Sequence, residues 1–150
     1  EEGVDFILAV GGGSVLDSSK GIAYGVYNEG VVWDYYARKK KVKGALPMGC
    51  ILTLSATGSE MSNSSVITNE DGNLKRGLSS DYGYFKFSIL NPELTYTVSQ
   101  YQTMCGCTDI IAYIGTIFYA IPNIGFGRSN GRKFSPYCHK KRKNSFRRSF

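Results

Sequence analysis

Three glycines and a serine, Gly11-Gly12-Gly13-Ser14, follow directly on an apolar run from Val4 to Val10 that only Asp5 interrupts. Glycine has no Cβ, so backbone N–H groups in such a turn can approach an anion closely. A helix starting there adds unpaired donors and the positive end of its dipole, which suits a phosphate. Ser14 is the expected N-cap, and Asp17 is expected in the first turn, where a carboxylate is favoured. The same residues also suit a tight strand-to-helix turn with no ligand, because GGGS is neither a GxGxxG fingerprint nor a Walker motif. A second chemical candidate is Asp109, with Tyr113 four residues on and therefore on the same helix face. A lone carboxylate in an apolar helix start needs a partner. Asp109 reads either as a capping or ion-paired residue or as a metal ligand.

These residues need elements to hold them. The apolar run predicts a strand, and Val15, Leu16, Ile22, Ala23, Val26 and Tyr27 predict an apolar helical stripe for packing on a sheet. Asn28-Glu29-Gly30 reads as a turn, and a short helical piece with Trp33, Tyr35 and Tyr36 follows. Arg38 to Lys43 reads as a solvated basic loop. Ala45 to Leu54, opened by Pro47, predicts a buried strand. Ser55 to Ser65 is too rich in hydroxyls for a core, so its donors face water or a ligand. Val66–Thr68 and Lys75–Leu78 flank the turn Glu70-Asp71-Gly72-Asn73, where Asp-Gly can supply a positive φ. Tyr84 to Leu90 predicts a further strand ended by Asn91-Pro92. From Val98 the pattern is helical, with Ser99 as its cap.

A length of 150 residues suits one domain or a piece of one. No apolar run approaches a membrane span and no signal peptide pattern is present, so neither membrane nor export is expected. Cys50, Cys105, Cys107 and Cys138 lack metal-site spacing and His139 is the only histidine, which suits a reduced, cytoplasmic setting. The net charge of +6 is unevenly spread: residues 1–109 carry −3, and residues 110–150 carry +9 with no acid at all. Arg132 to Arg148 holds eight Lys/Arg with Phe134, Tyr137 and Phe146 interleaved, a composition that would suit a polyanion or an anionic membrane surface. Nucleic acid is not an expected partner of the isolated loop Arg38–Lys43.

Several stretches together carry more than each does alone. AVGGGSVLDSSKGIA, VWDYY, ALPMGCILTLSATGSEMSNSSVITNEDGNLKRG, FSILNPELTYTVSQYQT and CGCTDI, in this order and spacing, resemble the iron-containing (group III) alcohol dehydrogenases, and most the butanol dehydrogenase-like branch. The resemblance covers residues 1 to about 112. It implies an α/β fold: the later part of a Rossmann-like nucleotide-binding domain (1–97), then the start of an all-helical metal-binding domain (98–112). It implies NAD or NADP as cofactor, Fe²⁺ or Zn²⁺ as metal, a small alcohol or aldehyde as substrate, and a homodimer for the intact protein. Gly11, Gly12, Gly13 and Ser14 would wrap the pyrophosphate, and Asp17 would lie toward the nicotinamide. Thr53 and Thr57 would bond the cofactor from the second loop, and Lys75 would reach its ribose and phosphate. Asp109 matches the carboxylate of the metal ligands.

The pattern breaks after Asp109. The family places a histidine ligand four residues on, where this chain has Tyr113, so no complete catalytic set is present and the chain reads as an inactive piece. Residues 112–120 written GCA TAT ATT GGA ACG ATA TTT TAC GCA, read from the second base, give HILERYFT, which restores that histidine within a family-like string. In the same phase residues 127–132 give ADRMEG, again family-like. Residues 113–150 are therefore expected to be read out of frame. Sequencing the gene from the codon of Thr103 past that of Phe150 checks this. The expected result is an open shifted frame carrying HILERYF, and other codons at these positions would rule it out.

Overall fold

The computed structural model describes residues 3–120. The expectations for Cys138, His139 and the basic segment after residue 120 fall outside them. The described chain divides into two compact units, one ending at Cys107 and the other beginning at Thr108.

The first unit is built on a small parallel sheet. Strands β1 (Ile7–Gly11), β2 (Met48–Leu52) and β5 (Phe87–Ile89) lie side by side in the order β1-β2-β5. Helix α1 (Gly13–Tyr27) makes the crossover from β1 toward β2. A separate antiparallel hairpin, β3 (Ser64–Asn69) and β4 (Leu74–Ser79), turns through Gly72 and Asn73, both at positive φ (82° and 49°). The Asp-Gly turn thus forms where its chemistry puts it. A short helix, α2 (Val32–Tyr36), buries Tyr35 and Tyr36 and stacks Trp33 on Tyr36, with Arg76 of β4 over the Trp33 ring.

The core is Ala9 from β1, Leu16 from α1, and Cys50 and Leu52 from β2, with Phe85 packed against it. Pairing aligns Leu8 with Gly49 and Phe87, and Val10 with Ile51 and Ile89, on the opposite face of the sheet. There Phe6 stacks on Phe87 at 6.0 Å between centroids. The Phe87 ring lies so close over Gly49 that a Cβ would stand 2.6 Å from its Cε1. Leu8 and Val10 are half exposed. Parallel sheets ordinarily bury both faces, and among the described residues α1 covers only one.

Four expectations are corrected. The N-cap of α1 is Gly12, whose carbonyl accepts from Val15 and Leu16, so Ser14 lies inside the first turn and caps nothing. Asp17 falls beyond that turn. The buried face of α1 comprises Leu16, Ser19, Lys20, Gly21, Ala23 and Tyr24, whereas Val15, Ile22, Val26 and Tyr27 are exposed. The helix is rotated from the most apolar stripe because half of its inner face meets polar loop and hairpin backbone rather than the sheet. The outer strands are also shorter than their apolar runs: β1 starts at Ile7 rather than Val4, and β5 occupies only the end of Tyr84–Leu90.

Helix α3 (Gln100–Ala120) begins as expected, with Ser99 Oγ accepting from the Gln102 N–H. Its residues from Thr108 belong to the second unit. No helix of the described residues is long and apolar enough to cross a membrane.

Tyr24 is fully buried and its hydroxyl has no hydrogen-bond partner among the described residues. Burial pushes its pKa far above the ordinary 10.0, and Tyr36 and Asp17 add to the shift. An unpaired buried hydroxyl carries its desolvation penalty, so Tyr24→Phe is expected to stabilise the fold by about 1 kcal/mol in urea unfolding. The folded hydroxyl keeps its proton above pH 10.0 while the unfolded one loses it, so this group lowers stability as pH rises past 10.0. Tyr24→Phe should therefore also move the alkaline unfolding midpoint upward.

Candidate functional site

β1 and β2 run parallel, so their C-terminal ends open on the same edge, the edge where ligands of open α/β sheets sit. Gly11 ends β1, and its carbonyl accepts from the Thr53 N–H at 3.0 Å just past β2. Gly12 passes over Leu54, with room for no more than van der Waals contact. At Gly13 a Cβ would stand 2.6 Å from Thr57 Cγ2 and would also strike Thr57 Oγ1. The absent side chain is thus what lets the second loop close onto the turn. α1 leaves the N–H groups of Gly13 and Ser14 without an intrahelical acceptor. Ser14 and Thr57 are exposed beside them, and Thr53 is half-buried. The structure therefore gathers Gly11, Gly12, Gly13, Ser14, Thr53 and Thr57 at one place. The cradle suits a diphosphate: small, bounded by backbone donors and hydroxyls, and open to solvent.

Asp17 lies one turn further along α1 and faces inward to the second loop. Its Oδ1 accepts from Ser59 Oγ at 2.6 Å, its Oδ2 from the Val66 N–H at 2.9 Å, and its carbonyl from Ser65 Oγ at 2.9 Å. Both carboxylate oxygens are thus engaged by the chain itself. Lys75 is exposed on β4, paired in register with Thr68. Among the described residues no hydrogen bond or ion pair joins it to the glycine turn.

Beside Asp17 lies Lys20, unassigned by the sequence reading although it stands within the motif. It is fully buried. Its Nζ donates to the carbonyls of Ser59 (2.8 Å), Ser62 (2.7 Å) and Ser64 (2.8 Å) and to Ser59 Oγ (3.0 Å). It also sits 5.1 Å from the centroid of the Phe85 ring. Four acceptors face three ammonium protons, so at least one proton is shared. Burial holds the Lys20 pKa below the usual lysine value, and the charge of Asp17 opposes that shift. Tyr36 and Ser65 complete the network through a 2.6 Å hydroxyl contact. A signal was present: Lys20 lies four residues after Leu16 and three before Ala23, inside a stripe that is otherwise buried.

Asp109 belongs to the second unit and is exposed on α3, as is Tyr113. No group of three or more His, Cys, Asp or Glu that could hold a metal occurs among the described residues. A single carboxylate and a neutral phenol do not make an iron or zinc site, each of which needs several nitrogen, oxygen or thiolate donors together. The described residues fit a dinucleotide and do not fit the metal.

Comparison with known proteins identifies the family. The family described as iron-containing alcohol dehydrogenase matches residues 1–92. The probable NADH-dependent butanol dehydrogenase 2 of Bacillus subtilis is 48% identical over 114 residues, which is 76% of this chain and 29% of that protein. An NADPH-dependent aldehyde reductase of Escherichia coli is 41% identical over 120 residues, covering 78% and 30%. The crystal structure of an NADH-dependent butanol dehydrogenase A from Thermotoga maritima superposes with a TM-score of 0.71 at 45% identity, over 75% of this chain and 28% of that one. The chain thus spans under a third of the length of the curated relatives it matches.

Asp17→Asn removes a charged acceptor from the Val66 amide and from Ser59. Hydrogen bonds to charged groups are worth about 2 kcal/mol. The Val66 amide should then exchange with solvent at least about tenfold faster, measured residue by residue, while amides of β1 and β2 change less.

Proposed function

The chain belongs to the iron-containing alcohol dehydrogenase family, and on that footing we propose that residues 1–97 are the dinucleotide-binding part of an NAD(P)-dependent, metal-dependent alcohol dehydrogenase or aldehyde reductase. The observation that carries this is the closure of Thr57 onto Gly13, a contact with no room for a Cβ. It turns a glycine-rich connection into a cradle with donors on two sides. The N–H groups of Gly13 and Ser14 hold the pyrophosphate, and the hydroxyls of Ser14, Thr53 and Thr57 bond the cofactor from its flanks. Asp17 acts from behind by fixing the second loop, and Lys75 lies toward the ribose and phosphate. When bound, the reduced nicotinamide ring would give a hydride to an aldehyde and the oxidised ring would take one from a primary alcohol. The chain's share of that chemistry is to hold the dinucleotide in one orientation.

Residues 98–112 open the helical domain on this reading, and Asp109 is the one metal ligand the chain retains. Residues 113–150 are read out of frame, so the chain binds cofactor without turnover. The match to the Bacillus subtilis enzyme takes in 76% of the chain, which leaves room for a segment unlike the family. The intact protein would be a cytoplasmic homodimer. The free thiols of Cys50, Cys105 and Cys107 suit a reducing compartment.

Fluorescence titration of the chain with NADH and with NADPH tests the reading. Saturable binding of at least one dinucleotide is expected, without oxidation when butanal is added and whether or not Fe²⁺ is present. Gly13→Ala should weaken that binding by about tenfold or more, since its new methyl must push Thr57 away. Turnover would refute the fragment reading, and absence of binding would refute the cofactor reading.

A further inference from the structure

We propose that Lys20 is the positioning residue of the dinucleotide site: its buried ammonium holds the second loop so that Thr57 stays against Gly13. This rests on the cofactor reading above. Lys20 does not reach the cradle itself. It acts through Ser59, which it grips at both the carbonyl and the hydroxyl. Thr57 is separated from Ser59 by one residue, Gly58, held at a φ of 67° in the left-handed region. Ser59 on the far side of that hinge is also fully engaged, since its hydroxyl donates to Asp17. Lys20, Ser59 and Asp17 therefore form a relay from α1 to the loop and back to α1.

The loop has one other side-chain tie to the sheet, Ser88 Oγ of β5 donating to the Glu60 carbonyl at 3.0 Å, and that tie lies beyond Ser59 from Thr57. Between Thr53, tied to Gly11, and Met61, bonded within its own turn to Gly58, no other backbone N–H contact to the rest of the unit is present among the described residues. Ser55, Ala56, Thr57 and Gly58 are exposed. Apolar burial cannot hold such a segment. A buried ammonium can, because leaving its protons unpaired is far costlier than ordering the loop around it. The cage of three carbonyls and one hydroxyl requires a cation at its centre, whether or not the cation is tethered to the helix.

That last point separates positioning from mere support. Lys20→Ala in the full 150-residue chain leaves a cavity that propylammonium matches in length and charge. Lys20→Met keeps the side-chain volume and removes the charge. NADH affinity is measured by fluorescence and stability by urea unfolding for each. Both variants are expected to bind NADH at least about tenfold more weakly than the wild type, in excess of any loss of folded fraction. Propylammonium should restore Lys20→Ala to within about threefold of wild type, while propanol should not, and Lys20→Met should respond to neither. Lys20→Met binding within about twofold of wild type, or equal rescue by propanol, would overturn the proposal. Should neither variant fold, Ser59→Ala takes their place. It keeps the three carbonyls and cuts the relay to Asp17, and an unchanged NADH affinity would overturn the proposal equally. If the wild-type chain binds no dinucleotide, the cofactor reading fails first and this one with it. If the wild type binds and the variants bind as well, only this one fails.

Discussion

A lysine ammonium enclosed in protein has to find acceptors for all its protons, and the first unit is arranged so that Lys20 does. The segment from Ser59 to Ser64 bends its carbonyls inward around the charge, and this bend carries the chain from the sheet edge into the β3–β4 hairpin. The hairpin is then fastened to the same helix by the Asp17 carboxylate at Val66 and by Ser65, which bonds both the Asp17 carbonyl and the Tyr36 hydroxyl. Remove the charge and these carbonyls face one another with no proton between them. The polar interior of this unit is thus a network with one cation at its centre, and beside it the Tyr24 hydroxyl and Glu60 Oε2 are buried without a hydrogen-bond partner among the described residues.

The apolar interior is smaller and adjoins this network along the same inner face of α1, toward the sheet. Four residues and Phe85 make the core between helix and sheet. The outer face of the sheet, with Leu8, Val10, Ile51, Phe87 and Ile89 in register, has the composition that a second layer would cover. Phe6 lies across part of it by stacking on Phe87. The glycines serve different ends in these two regions. Gly49 admits an aromatic ring over the sheet, and Gly13 admits a loop onto the helix start. The second approach makes a binding cradle because it brings hydroxyls to a place where helix N–H groups are already unpaired.

Cofactor and metal chemistry separate cleanly in this chain. The first unit holds a formed cradle. The second presents one exposed carboxylate, Asp109, with the phenol of Tyr113 one turn on. A phenol at neutral pH is a poor ligand for Fe²⁺ or Zn²⁺. On the proposed reading the whole reaction would need both halves, because orienting a hydride donor leaves the alcohol oxygen unpolarised.

What could be read directly from the sequence was local. The glycine turn after an apolar run, the Asp-Gly hairpin, the Asn-Pro strand stop and the Ser99 cap all follow from backbone preferences within a few residues, and all appear where expected. The order of motifs was enough to point to the family. Tertiary structure decided the rest, because it depends on segments far apart in the chain. Lys20 became buried only because a loop about forty residues on offers its carbonyls. The inner face of α1 turned away from its most apolar stripe because half of that face meets this loop rather than the sheet. Gly12 rather than Ser14 became the cap because the helix begins where Gly13 can meet Thr57. Hydrophobic periodicity reports how much a face resembles oil. It does not report whether a polar face will find its hydrogen bonds elsewhere in the chain, and here the cradle is held by a face that does.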